Sequence, residues 1–522
     1  MAGLPQIPPL NLDNYEWRPS PSDPLLYQRR SCGSEATVGL KEPNERGEYD
    51  LYFGCPVQFH QGVSTLGDLE RHVKTTWKKF RFSHPEVTYT PGYDDQVTCL
   101  VQYRIPKNPE EVERWAEETV VVHTTDKNYT DLRQELEEKR KAAEVSEASK
   151  GFTIHIAAPV AKSDSLDGKD VLFIFHLNHI TTDGMGIRVL VGQFFRDLAL
   201  QLSGGGDFSI EGLQWADTVK NLPPAYLAVR KPDIDLNGPK YEQILYASVG
   251  VMMQLPASHS LVPKESGPSY SRSAFAPFTL EETKAVISAV KTKLGPTFTI
   301  THLAQSAVFI ALLLFNPVPE SAPEETSYIS SSVMDGRRFL LEPHNEKTPF
   351  STICQCSATI AYPAIKSYNI TKFSSKKEIN EALAKGSEIA KQGYDSWISM
   401  PESLTSSASV LEMVAMLLST TPMGESTAKL AAPRFTSDGI DERFIQPTGE
   451  GKNSEKVFDI KDILFSVNQI SAFPSVRLHS FRGSSRLSID YNQGWFDDAY
   501  MQEYLDCIKQ LMVGFADMEL RN

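Results

Sequence analysis

The chain has little cysteine. Six in 522 residues, Cys32, Cys55, Cys99, Cys354, Cys356 and Cys507, are too few for a disulfide framework, and none has Cys-x-x-Cys spacing. They read as reduced thiols. Cys354-Gln-Cys356 lies in the strand-like run STICQCSATI with no other His or Cys cluster nearby, so buried packing is expected there and no metal. Basic residues are also in deficit: 52 Lys and Arg face 66 Asp and Glu, a formal net charge of −14. Such a field repels nucleic acid and anionic lipid. No apolar run approaches the roughly 20 residues of a membrane span, and the opening MAGLPQIPPLNLDNYEW lacks the basic and apolar regions of a secretory signal. A soluble cytoplasmic chain is expected, with the sequons at Asn128 and Asn369 unmodified. There is no P-loop and no Gly-x-Ser-x-Gly elbow, and Gly184-x-Gly186 lacks the third glycine of a dinucleotide fingerprint. ATP, NAD and a serine acyl-enzyme are therefore not implied.

What is present is core-forming material: 41% hydrophobic and 10% aromatic residues are enough to bury large cores, and a length of 522 residues allows two to four units. A strand is expected at Tyr49–Phe53 and a helix carrying Leu66, Leu69, Val73, Thr76, Trp77 and Phe80 at i, i+3, i+4 spacing. Another strand follows in VTCLVQYRI, then helices around Glu110–Thr119 and Thr130–Ala148. Arg29 and Arg30 read as a solvated pair. Phe152–Val160 and Val171–His176 flank an Asp-Gly turn signal and predict a hairpin. After a helix from Ile187 to Leu202, a proline-rich stretch with one helix near Tyr241–Gln254 reads as a linker. The second half offers helices at Leu280–Leu294 and Ile300–Phe315 (N-cap Thr299), strands at Tyr328–Met334 and Ser351–Ile360, and helices at Lys376–Lys391 and Ser407–Leu418. Two more strands, Ile463–Val467 and Leu487–Tyr491, precede a last helix with Tyr504, Leu505, Ile508, Leu511, Met512 and Phe515 on one face. Without a short-period repeat, this reads as two mixed α/β units of similar plan with a cleft between them: 1–205, a linker 206–270, and 271–522.

The chemistry concentrates in FHLNHITTDGMG, Phe175 to Gly186, at a strand-to-helix turn. Of the 11 histidines only His179 has Asp four residues on. A neutral imidazole can take a proton from an alcohol or amine near pH 7, and Gly184 and Gly186 allow ligand close to backbone. A second reading fits the spacing equally: His179 is a packed, hydrogen-bonded histidine and Asp183 the N-cap of the following helix. His176, inside the strand, reads as structural.

The stretch resembles the HHxxxDG motif of the acyltransferase superfamily that contains condensation domains, chloramphenicol acetyltransferase-like enzymes and the plant and fungal BAHD enzymes. Asn178 replaces the first histidine, which is not the catalytic one. The resemblance implies His179 as general base, and Asp183 as a structural acid paired with an arginine of the second half. Asp335-Gly-Arg-Arg338 is similar to the D-x-R segment of these enzymes and makes Arg337 that arginine, with Gly184 beside the oxyanion. It implies an α/β fold of two similar mixed-sheet chloramphenicol acetyltransferase-like domains with an active-site channel at their interface. YNQGWFDD at Tyr491–Asp498 stands where BAHD enzymes carry DFGWG, which points toward the condensation-like branch.

Among relatives the chain is most similar to the fungal trichothecene 15-O-acetyltransferases. This implies a monomer with no permanently bound cofactor, which transfers acetyl from acetyl-CoA directly to a small-molecule alcohol. The rivals are an amide-forming enzyme that uses a carrier-protein thioester, and a silent metabolite-binding relative. Lys284 and Arg272 are guesses for the CoA path.

Overall fold

The computed structural model describes residue 7 and residues 9–94, 98–142, 151–264, 270–345, 350–419, 431–469 and 471–518. Strand Leu51–Phe59 is the axis of the first lobe. It is apolar at nearly every position, and its burial matches, because both of its faces are covered. On one side it pairs antiparallel with Asp170–Leu177, which pairs in turn with Phe152–Ala158, forming the expected hairpin. Val120–Thr124 completes that side of the sheet. On the other side sit strands from far along the chain, Lys456–Ile460 and Leu464–Val467, with Thr448–Glu450 at the edge. The second half thus contributes strands to the first lobe's sheet.

Helices Leu66–Ser83 and Gly184–Leu202 pack on one face. Phe53, Cys55 and Val57 meet Leu69, Val73, Trp77, Leu190 and Phe194 in one core. Every residue of the expected apolar face of Leu66–Ser83 is buried, and each such large side chain contributes about 1.5–3 kcal/mol. Helix Tyr129–Ala142 covers the other face through Tyr129, Leu132 and Leu136. Residues 143–148 of the helix expected there lie outside the described residues.

The second lobe is built on a four-stranded sheet, Arg434–Ile440, Ser475–Phe481, Ser484–Asn492 and Ser271–Pro277 in that order. Arg482 and Gly483, at φ 51° and 74°, make the two-residue turn between the middle strands, where both positions need positive φ. Helices Ile300–Phe315, Lys376–Ile398 and Asp498–Phe515 complete this lobe's core. The six residues expected on the last helix's apolar face are all buried. The fold is the expected two-lobed mixed α/β architecture. No helix of the described residues is long and apolar enough to cross a membrane.

Several expectations need correction. Tyr328–Met334 is not one strand: Tyr328–Ser330 pairs with Ile360–Tyr362, and Val333–Asp335 with Gln355–Ser357. The serines between them spend hydrogen bonds locally, Ser332 N on the Ser330 carbonyl at 3.0 Å and Ser330 Oγ with Ser332 Oγ at 3.2 Å, and this breaks the ladder. The run Ser351–Ile360 is divided correspondingly. Arg29 is not solvated: it is 2% exposed and forms two 2.6 Å bonds with Glu35.

Helix Gly184–Leu202 passes the crossover segment, residues 441–467, which leaves the second lobe's sheet to join the first lobe's, with no room at Gly192, where a Cβ would lie 2.1 Å from the Phe444 carbonyl oxygen. Gly192→Ala should therefore destabilise the protein by about 1–3 kcal/mol. A denaturant midpoint equal to wild type would contradict the close approach.

Candidate active site

Strand Asp170–Leu177 ends at Asn178, whose side chain accepts from the Ile180 amide at 2.9 Å and whose carbonyl accepts from Thr181 N at 3.1 Å. These contacts turn the chain so that Asp183 can cap helix Gly184–Leu202, accepting from Met185 N at 3.0 Å and Gly186 N at 2.8 Å. The same carboxylate takes Arg337 Nη2 at 2.9 Å, Arg337 Nη1 at 3.1 Å and Cys354 N at 2.8 Å. Both oxygens are consumed. Asp183 is thus a helix cap and the partner of Arg337 at once, and has no lone pair aimed at a ligand.

Arg337 is 1% exposed. Its Nε donates to the Phe350 carbonyl at 2.6 Å, its Nη1 also to Asp335 at 2.9 Å, and its Nη2 also to the Thr352 carbonyl at 2.7 Å. Every N–H of the guanidinium has an acceptor. Burial pushes the Asp183 carboxyl up, but Arg337 and the amides of Cys354 and Gly186 outweigh it and hold it below the ordinary carboxylate value. Burial opposes the charge on Arg337 too, yet Asp183 and Asp335 raise its pKa.

His179 is only partly buried. Its Nδ1 lies 2.8 Å from the Thr182 carbonyl oxygen. A carbonyl only accepts, so Nδ1 carries the proton and Nε2 keeps its lone pair. Packing lowers the pKa below the usual histidine value, outweighing its own backbone, Asp183 and the Thr182 carbonyl, which act in the opposite direction. The ring is therefore neutral at pH 7 and equipped to accept a proton through Nε2. His176 is occupied differently, with Nε2 2.9 Å from Asp50 and the ring stacked on Tyr52 at 4.3 Å.

Further contacts join the loop to distant segments. Thr182 Oγ1 donates to the Ser351 carbonyl, and a Cβ on Gly186 would meet that oxygen at 2.0 Å, so only glycine fits. Ser351 Oγ donates to Glu86 at 2.6 Å. Arg188, wholly buried, donates to the Gly184 carbonyl and to Asp441, and reaches Asp438 at 2.9 Å. Sequence reasoning missed Arg188, Asp438 and Asp441. The available signal was a charge on the apolar face of the helix, four residues after Gly184. Arg272 is buried beside Glu137 at 3.8 Å and over Tyr270, and Lys284 is exposed on helix Leu280–Ala289; neither contacts the motif. Cys354 and Cys356 are buried. Among the described residues no group of three or more His, Cys, Asp or Glu could hold a metal ion.

Two mixed-sheet lobes joined by strands of the second half define the fold class. The first condensation domain of the CDA synthetase has this fold, with a TM-score of 0.58 at 12% identity over 93% of this chain and 96% of that one. The family model described as 15-O-acetyltransferase Tri3 matches residues 7–415. A trichothecene O-acetyltransferase of Trichoderma arundinaceum is 32% identical over 98% of this chain and 99% of its own length. A trichothecene 15-O-acetyltransferase of Fusarium sporotrichioides is also 32% identical, over 98% of each chain. The solved structure of the TRI3 enzyme of Fusarium sporotrichioides superposes with a TM-score of 0.90 at 30% identity, over 98% of this chain and 99% of that one. The chain belongs to the 15-O-acetyltransferase Tri3 family and is an acyltransferase.

Removing one end of a buried pair strands the other charge, so Arg337→Ala and Asp183→Ala should each cost about 3–5 kcal/mol. Because the folded pKa of Asp183 is depressed, its contribution is complete above the unfolded carboxyl value. It is lost as pH falls through the lower folded value. Melting curves between pH 7 and 3 check both points; wild-type melting temperatures in the variants would contradict them.

Proposed function

We propose that this chain transfers an acetyl group from acetyl-CoA to a hydroxyl of a small-molecule alcohol, the C-15 hydroxyl of a trichothecene, with His179 as the general base. One contact carries the assignment: the Thr182 carbonyl takes the proton of Nδ1 and leaves Nε2 as the acceptor on a partly exposed, neutral ring. The acceptor is named from the family and from the relatives' activities.

Nε2 removes the proton of the hydroxyl as its oxygen attacks the thioester carbonyl. The C–O bond forms and a tetrahedral oxyanion results. The Gly184 amide, at the first position of the helix, is the donor we assign to that oxyanion, since Asp183 takes the next two amides. The intermediate collapses with cleavage of the C–S bond, and the CoA thiolate leaves with the proton His179 holds. Both substrates are present together in this scheme, and no residue is acylated. Arg337 and Asp183 serve as the frame. The active unit is a monomer working in the cytoplasm, with no resident cofactor.

His179→Ala should lower kcat by about 100-fold or more with an unchanged melting temperature. Near-wild-type turnover would refute the base. In the wild type, protonation of Nε2 abolishes activity, so kcat/KM should be level through pH 7. It should fall as pH drops through a value below 6.5, the ordinary histidine pKa; an acidic limb above 7 would contradict this. Free-thiol release with acetyl-CoA and a trichothecene alcohol tests the substrates. Turnover only with a carrier-protein thioester would favour condensation chemistry.

A further inference from the structure

A cavity of about 280 Å³ opens between the crossover segment and the second lobe's central hairpin. Its walls include Lys461 and Asp462 on the crossover and Arg482, Ser484 and Arg486 on the hairpin, with His479 among the lining residues. Three cationic side chains face one carboxylate, although the whole chain carries a net charge of −14.

The cations are incompletely neutralised. Arg482 directs Nε and Nη2 to the carbonyls of Ile460 and Pro447, at 2.9 Å each, which orient the guanidinium without cancelling its charge. Asp459, 3.6 Å from Arg482 and 3.9 Å from Lys461, is engaged more closely by Lys456 at 2.6 Å and His60 at 3.0 Å. Among the described residues Arg486 has the closest acidic partner of the three, Asp462 at 2.5 Å.

His479 supplies the second observation. It is 2% exposed, its Nδ1 lies 2.6 Å from Asp441, and its Nε2 is buried without a hydrogen-bond partner. A carboxylate only accepts, so Nδ1 carries the proton and Nε2 is a buried acceptor without a donor; the P–OH of a monoprotonated phosphoryl group in the cavity would supply that donor. Asp441 also accepts from Arg188, which holds the Gly184 carbonyl. The cavity is thus connected to the start of the motif helix by three consecutive side chains. On strand Ser475–Phe481, residues 477, 479 and 481 share one face. Arg477 lies over Phe465, whose ring in turn abuts Gly184, and Phe481 lines the cavity about 13 Å further along.

We propose that this cavity is a binding site for a phosphoryl group, held by Lys461, Arg482 and Arg486 with His479 at its floor. Phosphate presents charge and several acceptors to a ring of donors, which suits guanidinium, ammonium and hydroxyl groups together. The phosphoryl group comes either from the nucleotide end of CoA or from free phosphate. The first source rests on the acetyl-transfer reading; the second does not.

The test is calorimetric titration of the full chain, wild type and Lys461→Glu, with CoA, with pantetheine, which lacks every phosphate, and with inorganic phosphate. Lys461 is 39% exposed, so the substitution should leave the melting temperature unchanged. Its smaller relative Lys461→Gln checks that removal of charge alone weakens binding. If CoA is the source, its affinity falls about tenfold or more in Lys461→Glu and drops with added salt, while pantetheine binds both proteins equally. A tenfold loss for inorganic phosphate with CoA unaffected keeps the site and assigns it to free phosphate. If neither CoA nor phosphate distinguishes Lys461→Glu from wild type, the proposal falls. Binding is read without turnover, so failure of acetyl transfer and failure of this site are separate results.

Discussion

The buried pair between Asp183 and Arg337 is the constraint on which the rest of the site depends. Taking two opposite charges out of water costs several kcal/mol for each, and their attraction compensates only when the remaining donors and acceptors are also used. Here they are. The carboxylate receives two guanidinium N–H groups and three amides, and the guanidinium spends its other donors on Asp335 and on the carbonyls of Phe350 and Thr352. One carboxylate therefore starts a helix of the first lobe and anchors a segment of the second. The absence of any side chain on Gly186 lets the Ser351 carbonyl complete that junction.

This constraint decides how labour is divided in the motif. A carboxylate saturated with donors cannot take a substrate proton, and its ion pair holds it below the ordinary carboxylate value. His179 sits four residues earlier, on the far side of the same turn, and its single good contact uses the nitrogen that carries hydrogen. The spacing has a physical meaning: the turn that brings Asp183 onto its helix also brings the Thr182 carbonyl under the imidazole. Arg188 ties the first turn of the helix to Asp438 and Asp441, so the loop is held from both ends.

Much of this was legible in the chain. The helices from Leu66 and from Ile300, the last helix, and the hairpin ending at the motif all followed from apolar periodicity and one turn signal. Each of these is set by residues near one another in sequence. The strands at 434–440, 456–460 and 475–481 were not found: 456–460 pairs with a strand in the first sixty residues, 434–440 is an edge strand, and the Arg482-Gly483 turn that joins 475–481 to its neighbour lacks the Asn-Gly or Asp-Gly signal of a two-residue hairpin. The long runs at 328–334 and 351–360 looked continuous because propensity does not register serines that hydrogen-bond locally. The site was legible as a histidine and an acid in a turn, and no further: spacing alone left base and packed histidine equally open. The pairing of Asp183 with Arg337 came from likeness to a family, because 154 residues separate them. Arg29 reads as solvated in the sequence, and Arg188 escapes notice there, because a buried arginine is readable only once its acid is placed beside it.

The central claim is that the frame at Asp183 and Arg337 leaves His179 as a neutral base with its lone pair on Nε2. Nitrogen-15 NMR of the histidine-labelled protein across pH 5–8 tests this directly. The account predicts, for His179, a proton on Nδ1 and a bare Nε2 at pH 7, with protonation only below pH 6.5. A His179 that carries its proton on Nε2, or is already an imidazolium at pH 7, would contradict it.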